Sequence, residues 1–301
     1  MIKNVILDLD TGIDDTLALL YVLAKKDEIN LLGVTSVFGN VETLQSARNS
    51  LNILDFFNRN DVDVYLGSKG PYGKDNYEVK EYLFNIHGKN GVGNIIFPTS
   101  KREVKKDGVK FIRDMIISHP GNITIVPTGP LTNLAHLYEI YPEVLNVKHE
   151  VISMGGALTV EGNVTPHSEA NYYKDPLSAA KVFSKPINLK MIGLDVTQRS
   201  HLYPIDIKKW KGSKGELIKK MVEFYIAFHK TGYCYIHDPS AVCAMLHPEF
   251  FKFLSIPMYI TEDGRSIGKY NENLPLKQVA VDVDSISVER ELISTWETLF
   301  Q

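Results

Sequence analysis

The sequence predicts a single α/β domain in which a mainly parallel, Rossmann-like central sheet is flanked by helices, with a small antiparallel portion near the C-terminus. Short apolar runs typical of buried parallel strands alternate with helical stretches along most of the chain. The 301 residues suffice for one large domain, and no Ser/Gly linker, repeat or low-complexity tract interrupts them. We therefore expect one domain over residues 1–301.

The first strand, the first helix and the second strand are the clearest elements. Residues 5–9 form a short apolar run that ends in Asp-Thr-Gly, and residues 30–37 form a second run. Residues 14–25 between them are predicted to be helical, with acidic residues at the start and lysines at the end, as the helix dipole favours. A strand, a helix and a strand in this order indicate a βαβ unit.

The same alternation continues towards the C-terminus. Further strands are predicted at residues 62–65, 122–126, 150–154 and 187–192. Further helices are predicted at residues 41–57, 104–118, 131–137, 176–183, 215–229 and 238–245, with a closing helix at 289–299. Residues 256–288 alternate apolar and polar side chains, which predicts a few antiparallel strands. Residues 67–99 have weak periodicity and are expected to form a long loop, which in a compact domain is usually functional or disordered.

Charge and composition exclude several classes of partner. The formal net charge is −3, from 33 basic and 36 acidic residues, so the chain lacks the basic footprint of a protein that binds nucleic acid or an anionic membrane. No stretch approaches the ~20 apolar residues of a membrane span, and the N-terminal apolar run is too short for a signal peptide. Two cysteines do not make a disulfide framework. We expect a cytoplasmic protein that acts on a small molecule.

Four carboxylates lie close together at the end of the first strand: Asp8, Asp10, Asp14 and Asp15. The first two share one side of the strand and the last two begin the next helix, at the edge where open α/β sheets carry their active sites. Acids so close repel one another without a counter-charge, and carboxylate oxygens favour Ca²⁺ or Mg²⁺ over zinc. If Asp14 and Asp15 only capped the helix and Asp8 only ended the strand, Asp10 would remain unexplained.

Two shorter matches within this string are less complete. Asp8-Leu9-Asp10 resembles the first motif of the haloacid-dehalogenase-like phosphatases, but that motif usually continues Gly-Thr, and the chain has no later acidic motif to hold its Mg²⁺. Asp10-Thr11-Gly12 matches the triplet of the aspartic proteases, which need a second copy or a dimer on an all-β scaffold. The chain has no second triplet, and a predicted helix follows this one.

The complete string resembles the N-terminal fingerprint Asp-x-Asp-x-x-x-Asp-Asp of the inosine–uridine-type nucleoside hydrolases. The resemblance extends along nearly the whole chain, and the motifs keep the family's order. They are Gly-Asn at 39–40, Pro-Thr-Gly-Pro-Leu-Thr-Asn at 127–133, Met-Gly-Gly at 154–156, Gly-Asn at 162–163, Glu-x-Asn at 169–171 and His-Asp at 237–238. Each motif is weak to moderate alone, and their joint order at predicted strand ends makes the match specific.

The resemblance implies a Ca²⁺ site and a catalytic base. In the family the ion is held by four protein groups, which match the side chains of Asp10, Asp15 and Asp238 and the backbone carbonyl of Thr128. Water and the ribose 2′- and 3′-hydroxyls complete the coordination. One water is the nucleophile, and Asp10 is expected to take its proton. Asp8 is expected behind the ligands, where it would orient them.

The resemblance also implies which residues bind the ribose, since amides and carboxylates suit vicinal hydroxyls. They are Asp14, Asn40, Asn163, Glu169 and Asn171. From the residues alone, Asn163 and Asn171 are equally compatible with a turn residue and a helix cap. Loss of the 2′-hydroxyl would leave its partners unpaired, so we expect discrimination against deoxynucleosides. The transition state is expected to resemble an oxocarbenium ion, which the acid cluster would favour.

Other residues are expected at the nucleobase. His237 is the candidate acid that protonates the leaving base, since histidine titrates near neutral pH, although a lone histidine is more often structural. His87, in the expected long loop, matches a family position near the substrate, and Tyr225 is a candidate contact of the base. Tyr233 and Tyr235 are further candidates. Core or surface packing is an equal alternative for each tyrosine.

Three functions are therefore to be separated: a ribonucleoside hydrolase that gives free base and ribose, an Asp-x-Asp phosphatase, and a nucleoside sensor without catalysis. The presence of both Asp10 and His237 argues against the sensor. Thr11 stands where the family commonly has Pro, and Ala170 stands where some relatives carry an aromatic, which leaves the preferred base open. Relatives are homo-oligomers, so a homodimer or homotetramer is expected.

Overall fold

The computed structural model describes residues 2–229, 231–269 and 271–300. Tyr270, within the predicted antiparallel stretch, and the other three positions of the expected domain lie outside the described residues. The strands are β1 (Lys3–Leu9), β2 (Ile29–Ser36), β3 (Val64–Leu66), β4 (Thr124–Pro127), β5 (Glu150–Met154), β6 (Asn188–Ile192), β7 (His201–Leu202), β8 (Cys234–Tyr235), β9 (Phe251–Ile260), β10 (Ser266–Gly268) and β11 (Leu276–Val283).

Helices surround these strands. They are α1 (Ile13–Ala24), α2 (Thr43–Phe56), α3 (Glu81–His87), α4 (Gly108–Ser118), α5 (Thr132–Ile140), α6 (Ala170–Lys174), α7 (Pro176–Phe183), α8 (Leu194–Thr197), α9 (Pro204–Ile207), α10 (Gly212–His229), α11 (His237–Leu246) and α12 (Ser285–Leu299). Two short 3₁₀ turns follow α5 and α11, at Pro142–Asn146 and Pro248–Phe250. In the described part of the chain, none of the helices combines the length and the apolar character needed to cross a membrane.

Within the described residues, nine strands form one sheet in the order β10-β9-β11-β6-β5-β4-β1-β2-β3. All neighbours from β3 across to β11 run parallel. The last two strands, β9 and β10, are added antiparallel at the far edge. A separate antiparallel pair is formed by β7 and β8. The predicted fold class, a mainly parallel sheet flanked by helices with an antiparallel part near the C-terminus, is confirmed.

The central strand β1 is buried on both faces, which explains its nearly continuous apolar sequence. Ile6 belongs to a hydrophobic cluster that includes Ile112 of α4 and Leu134 of α5. Leu7 and Leu9, on the opposite face, belong to a second cluster that includes the apolar residues of α1 and α11. Because successive side chains of a strand point to opposite faces, one short segment joins both layers of the core.

The prediction of a long loop at residues 67–99 is wrong in one part, because α3 lies within it. Only Leu83 and His87 of this seven-residue helix are buried, so its sequence shows little periodicity. The helix packs against α10. His87 is therefore the last residue of a helix and not a loop residue.

Several element ends also differ from the prediction. The closing helix α12 begins at Ser285 instead of 289, because Asp284 caps it by accepting hydrogen bonds from the backbone N–H (3.2 Å) and Oγ (2.7 Å) of Ser287. The strand β9 begins at Phe251 instead of 256. The helices α6, α8 and α9 and the β7–β8 pair were not predicted. Elements of two to five residues have too few positions to show a period.

The carboxyl ends of the parallel strands meet at one edge of the sheet. Asp10 follows β1 directly, Thr128 follows β4, and Gly155 follows β5. The helices α1 and α11 pack against each other, and acidic residues occupy the first turn of both. The first N–H groups of a helix lack partners within the helix and favour negative charge, so this edge is suited to hold carboxylates.

Candidate active site

Three buried carboxylates from two helix N-termini converge at this edge. Asp14 and Asp15 lie in the first turn of α1, and Asp238 lies in the first turn of α11. Each offers a carboxylate oxygen, and these oxygens all lie within 4.8 Å of one another. More than 220 residues separate the two helices in the sequence, yet the predicted meeting of Asp15 with Asp238 occurs in the structure.

Asp15 is held in place on both carboxylate oxygens. Its Oδ2 accepts hydrogen bonds from the Gly12 backbone N–H (2.7 Å) and the Asn40 amide (3.3 Å). Its Oδ1 accepts from Thr128 Oγ1 at 2.6 Å, and the Thr128 backbone oxygen in turn accepts from Asn171 Nδ2 at 2.6 Å. The end of β4 is thereby fixed beside the acid trio, and the structure brings Thr128 into contact with Asp15.

Asp10 lies outside the trio of described residues that meet within 4.8 Å. Its Oδ2 accepts from the Asn40 backbone N–H at 2.8 Å and from the Lys174 ammonium at 3.0 Å. Gly39 permits this approach, since a Cβ at that position would overlap the Asp10 carboxylate. The buried Oδ1 of Asp10 has no hydrogen-bond partner. One oxygen of Asp10 is therefore fixed and the other is available.

Asp8 lies behind the trio and ties the strand ends together. Its Oδ1 accepts hydrogen bonds from Thr35 Oγ1 (2.6 Å) and Asn133 Nδ2 (2.7 Å), and its backbone oxygen accepts from the Thr128 N–H (3.0 Å). Three neighbouring strand ends thus converge on one residue. This arrangement agrees with the expected orienting position of Asp8.

Burial and mutual repulsion make the cluster costly to ionise. Burial, together with the neighbouring Asp10 charge, raises the pKa of Asp14 to about 6. Burial raises the pKa of Asp8 to about 6. The pKa values of Asp15 and Asp238 are raised well above their ordinary range, first by burial and then by the surrounding carboxylates. Buried charges of one sign require a counter-ion, and the group consists of hard oxygen donors.

A divalent cation fits this group of residues. Asp8 Oδ2, Asp10 Oδ1 and Asp14 Oδ1 are buried and have no hydrogen-bond partner among the described residues. Buried polar atoms are normally paired, and a cation bound at the acid trio would pair with the Asp14 oxygen. The family resemblance predicts that the side chains of Asp10, Asp15 and Asp238 meet and places Asp14 at the ribose. In the structure, Asp14 and not Asp10 lies in the close trio with Asp15 and Asp238.

A cavity of about 340 Å³ opens above the acid cluster. Eleven of the candidate site residues line it: Asp14, Asn40, His87, Thr128, Asn163, Glu169, Asn171, Tyr225, Tyr235, His237 and Asp238. Asp8, Asp10 and Asp15 do not line it and are fully buried. The cavity has the size of a site for one small organic molecule, with charged groups on its floor and aromatic side chains on its walls.

The residues predicted for the ribose all line the cavity. Glu169 caps α6: its Oε1 accepts from the Asn171 N–H and its Oε2 accepts from the Gly156 N–H, each at 2.9 Å. Asn163 Oδ1 accepts from the Ala170 N–H at 2.9 Å, which agrees with the turn role left open for it. The helix cap is Glu169, so the alternative of Asn171 as a cap is wrong.

His237 begins α11 and also lines the cavity. Its Nδ1 lies 2.8 Å from Thr197 Oγ1, and its ring stacks on Tyr235 with 5.2 Å between the ring centroids. His87 Nδ1 accepts from the Ile13 backbone N–H at 3.3 Å, so it caps the start of α1 as well as lining the cavity. The two histidines, with Tyr225 and Tyr235, give the lining of the cavity a mixed polar and aromatic character.

Two residues that contact predicted site residues were not themselves identified from the sequence. Lys174 follows Asn171 by three positions, a spacing that places both on one face of a helix, so a helix at this position would have revealed it. Thr197 belongs to a four-residue helix after β6, and no local pattern marks it. Each of the two touches a residue that the sequence did identify, Asp10 and His237 respectively.

Comparison with known proteins agrees with this geometry. Residues 5–290 match the model of the family described as inosine-uridine preferring nucleoside hydrolase. The chain is 33% identical to a probable uridine nucleosidase 2 of Arabidopsis thaliana, over 95% of each chain. It is 32% identical to the pyrimidine-specific ribonucleoside hydrolase RihB of Escherichia coli, over 88% of this chain and 84% of that one.

A solved structure is similar over the whole length. The purine-preferring ribonucleoside hydrolase from Gardnerella vaginalis superposes with a TM-score of 0.95 at 36% identity, and the match covers 99% of both chains. The relatives thus include proteins named for uridine, for pyrimidine and for purine nucleosides. The match of the family model over nearly the whole chain shows that this protein belongs to the inosine-uridine preferring nucleoside hydrolase family.

Proposed function

We propose that this chain hydrolyses the N-glycosidic bond of ribonucleosides, giving the free base and ribose, and that it depends on Ca²⁺. The observation that carries the proposal is the meeting of Asp14, Asp15 and Asp238 within 4.8 Å, two of which, Asp14 and Asp238, line a nucleoside-sized cavity. Family membership supports the same reaction. The oxygen-only donor set supports Ca²⁺ over a softer metal.

We assign the ion to the side chains of Asp10, Asp15 and Asp238 and to the backbone carbonyl of Thr128. The contact of Thr128 with Asp15 and the unpartnered oxygen of Asp10 support this set. When bound, Ca²⁺ would neutralise the carboxylates and lower the pKa of a water in the site. Asp14 lies close enough to serve the ion or the sugar, and we keep it as a ribose contact.

Asp10 is the proposed general base. Its Oδ2 is occupied by the Asn40 N–H and by Lys174, so Oδ1 is the atom that can accept a proton. As the oxygen of the attacking water bonds to C1′, Asp10 takes one of its protons and the bond from C1′ to the base nitrogen breaks. The surrounding carboxylates favour the positive charge that develops on the sugar.

The ribose hydroxyls are proposed to bind Asp14, Asn40, Asn163, Glu169 and Asn171. Although both oxygens of Glu169 already accept backbone hydrogen bonds, a carboxylate oxygen can accept a second one. These side chains are held in place because Glu169 and Asn163 accept hydrogen bonds from nearby backbone N–H groups. A fixed wall of donors and acceptors would discriminate against a sugar that lacks the 2′-hydroxyl.

The departing base needs a proton, and His237 is the proposed donor. The contact of Nδ1 with Thr197 Oγ1, at 2.8 Å, fixes the orientation of the ring, and we propose that Nε2 gives the proton to the base. Tyr225 and His87, which line the same cavity, are proposed contacts of the nucleobase. The reaction is then balanced: water supplies a hydroxyl to C1′, Asp10 receives a proton and His237 gives one to the base.

A panel of nucleosides assayed for free ribose, with and without chelator, tests the proposal. We expect ribose from uridine or inosine, and loss of the signal when Ca²⁺ is removed. Release of inorganic phosphate from a phosphate ester, with no ribose from any nucleoside, would support the Asp-x-Asp phosphatase instead. A Ca²⁺-dependent rise in melting temperature without any turnover would support a nucleoside sensor.

Some expectations from the sequence stay predictions. We propose a cytoplasmic enzyme of nucleoside salvage that assembles as a homodimer or homotetramer, with no nucleic-acid or membrane partner. Gel filtration with light scattering measures the assembly directly. The preferred base follows from the nucleoside panel, because relatives named for purine and for pyrimidine nucleosides are similarly related to this chain.

A further inference from the structure

One buried ammonium lies among the carboxylates of the site. Lys174 ends α6, and its side chain is only 5% exposed. Its Nζ lies 3.0 Å from Asp10 Oδ2 and 3.2 Å from Asn40 Oδ1. Within the described residues it is the sole lysine or arginine lining the cavity. A buried lysine is rare unless it is paired, so this position requires an explanation.

The backbone keeps Lys174 at this place. The next residue, Asp175, caps α7 through the Ser178 N–H (3.1 Å) and also accepts hydrogen bonds from the Tyr72 N–H (2.9 Å) and Thr132 Oγ1 (2.6 Å). On the other side, Glu169 caps α6. The backbone around Lys174 is therefore held in place, and from there its side chain reaches Asp10.

The charges around Lys174 are strongly unbalanced. The Lys174 ammonium forms one ion pair, with Asp10 at 3.0 Å. The carboxylates of Asp14, Asp15 and Asp238 meet within 4.8 Å, and Asp14 and Asp238 line the same cavity as Lys174. The single positive charge of Lys174 therefore offsets only part of the negative charge.

We infer that Lys174 is a built-in counter-cation of the metal site: it joins Asp10 to Asn40, keeps Asp10 Oδ2 away from the ion, and sets the Ca²⁺ affinity below the value the acids alone would give. This inference deepens the proposed function and rests on its metal site. Lys174 stabilises the protein without metal and repels a divalent cation at short range. It is a positioning residue, because it acts through Asp10.

The Lys174→Met variant tests this in the full-length, chelator-treated protein, using CaCl₂ as the probe. Calorimetry should show Ca²⁺ binding about tenfold tighter than in the parent, because a nearby positive charge has been removed. The melting temperature without metal should fall by roughly 5 °C, since Asp10 loses its buried partner. A purely structural ion pair predicts the fall in melting temperature but no gain in affinity.

Two further variants sharpen the test. Lys174→Gln removes the charge and keeps a donor for Asp10 and Asn40, so it should bind Ca²⁺ more tightly with a smaller fall in melting temperature. It also serves if the Met variant does not fold. Lys110→Met removes an exposed lysine that pairs with Asp114 on the far helix α4, and it should change neither measurement.

The outcomes separate this inference from the proposed function. Equal or weaker Ca²⁺ binding by both Lys174 variants, in a parent that binds Ca²⁺, overturns the inference and leaves the proposed function standing. If the parent binds no Ca²⁺, the proposed metal site fails. In that case a melting temperature for Lys174→Met no lower than for Lys110→Met also overturns the counter-cation role.

Discussion

Replacement of Asp14 by Asn should stabilise the protein when Ca²⁺ is removed. Asp14 is 8% exposed, one of its oxygens has no partner, and two other carboxylates lie within 4.8 Å. Asparagine has nearly the same shape and no charge. In the protein without metal, the buried charge of Asp14 lowers the free energy of unfolding. Its removal should raise that free energy.

The magnitude follows from the pKa. Burial and then the Asp10 charge raise the pKa of Asp14 from 3.8 to about 6, a difference worth about 3 kcal/mol. Because the raised pKa means that the folded state binds the proton more tightly, stability is lost as the pH rises through about 4 to 6 and stays lost above it. Asp14→Asn carries no charge at this position and does not lose this stability. Its free energy of unfolding should therefore match that of the parent near pH 4 and exceed it by about 3 kcal/mol at pH 8, which is roughly 5 °C in melting temperature.

Melting of the parent and of Asp14→Asn, with chelator, at pH 4 and pH 8 is the assay. The matched control is Asp282→Asn, an exposed aspartate whose pKa is held well below its ordinary value by hydrogen bonds from Lys252 and Arg199. Asp282→Asn should lower the melting temperature at pH 8, because it removes a charge that these two cations stabilise. Addition of Ca²⁺ should narrow the difference between Asp14→Asn and the parent, because the ion offsets the negative charge around Asp14. If chelated Asp14→Asn melts at or below the parent at pH 8, the account of a repulsive acid cluster is wrong.

Three further predictions concern turnover. Asp10→Ala should lower ribose release from a ribonucleoside by at least about 10³-fold, because one residue serves both the ion and the proton; a loss under tenfold would contradict this. Thr197→Val should lower kcat by about 10-fold and shift its pH profile with little change in KM, whereas Thr197→Ser should retain the parent profile; an unaltered profile in the Val variant would remove Thr197 from the positioning of His237. A 2′-deoxynucleoside should have a kcat/KM lower than its ribonucleoside by a factor on the order of 10⁴, and comparable values would contradict the proposed ribose contacts.

The fold and the centre of the site could be predicted because the signals are local. The apolar run of β1 and the helical pattern of α1 follow from short-range periodicity, and residues placed directly after parallel strands necessarily meet at one edge. Asp10 and Thr128 both belong to this class. The position of Asp238 required the family resemblance, since nothing local links α11 to α1.

The remainder depends on tertiary contacts. The helix α3 buries only Leu83 and His87, too few positions to show a period, and it forms against α10. Lys174 lies next to Asp10 because tertiary contacts hold α6 in place. Glu169 caps the start of this helix, and Asp175, directly after it, caps α7. Whether Asp10 or Asp14 completes the close trio depends on which carboxylate Lys174 and Asn40 hold, and spacing along the chain does not encode this.

The role of a bound divalent ion is tested most directly by counting metal and turnover in the same sample. Chelator-treated protein is titrated with CaCl₂, ribose release is measured at each step, and bound calcium is determined by mass spectrometry. The predicted result is no release without the ion and a rate that rises with occupancy to a plateau at a single ion per chain. Full ribose release by protein that carries no divalent ion would contradict the account.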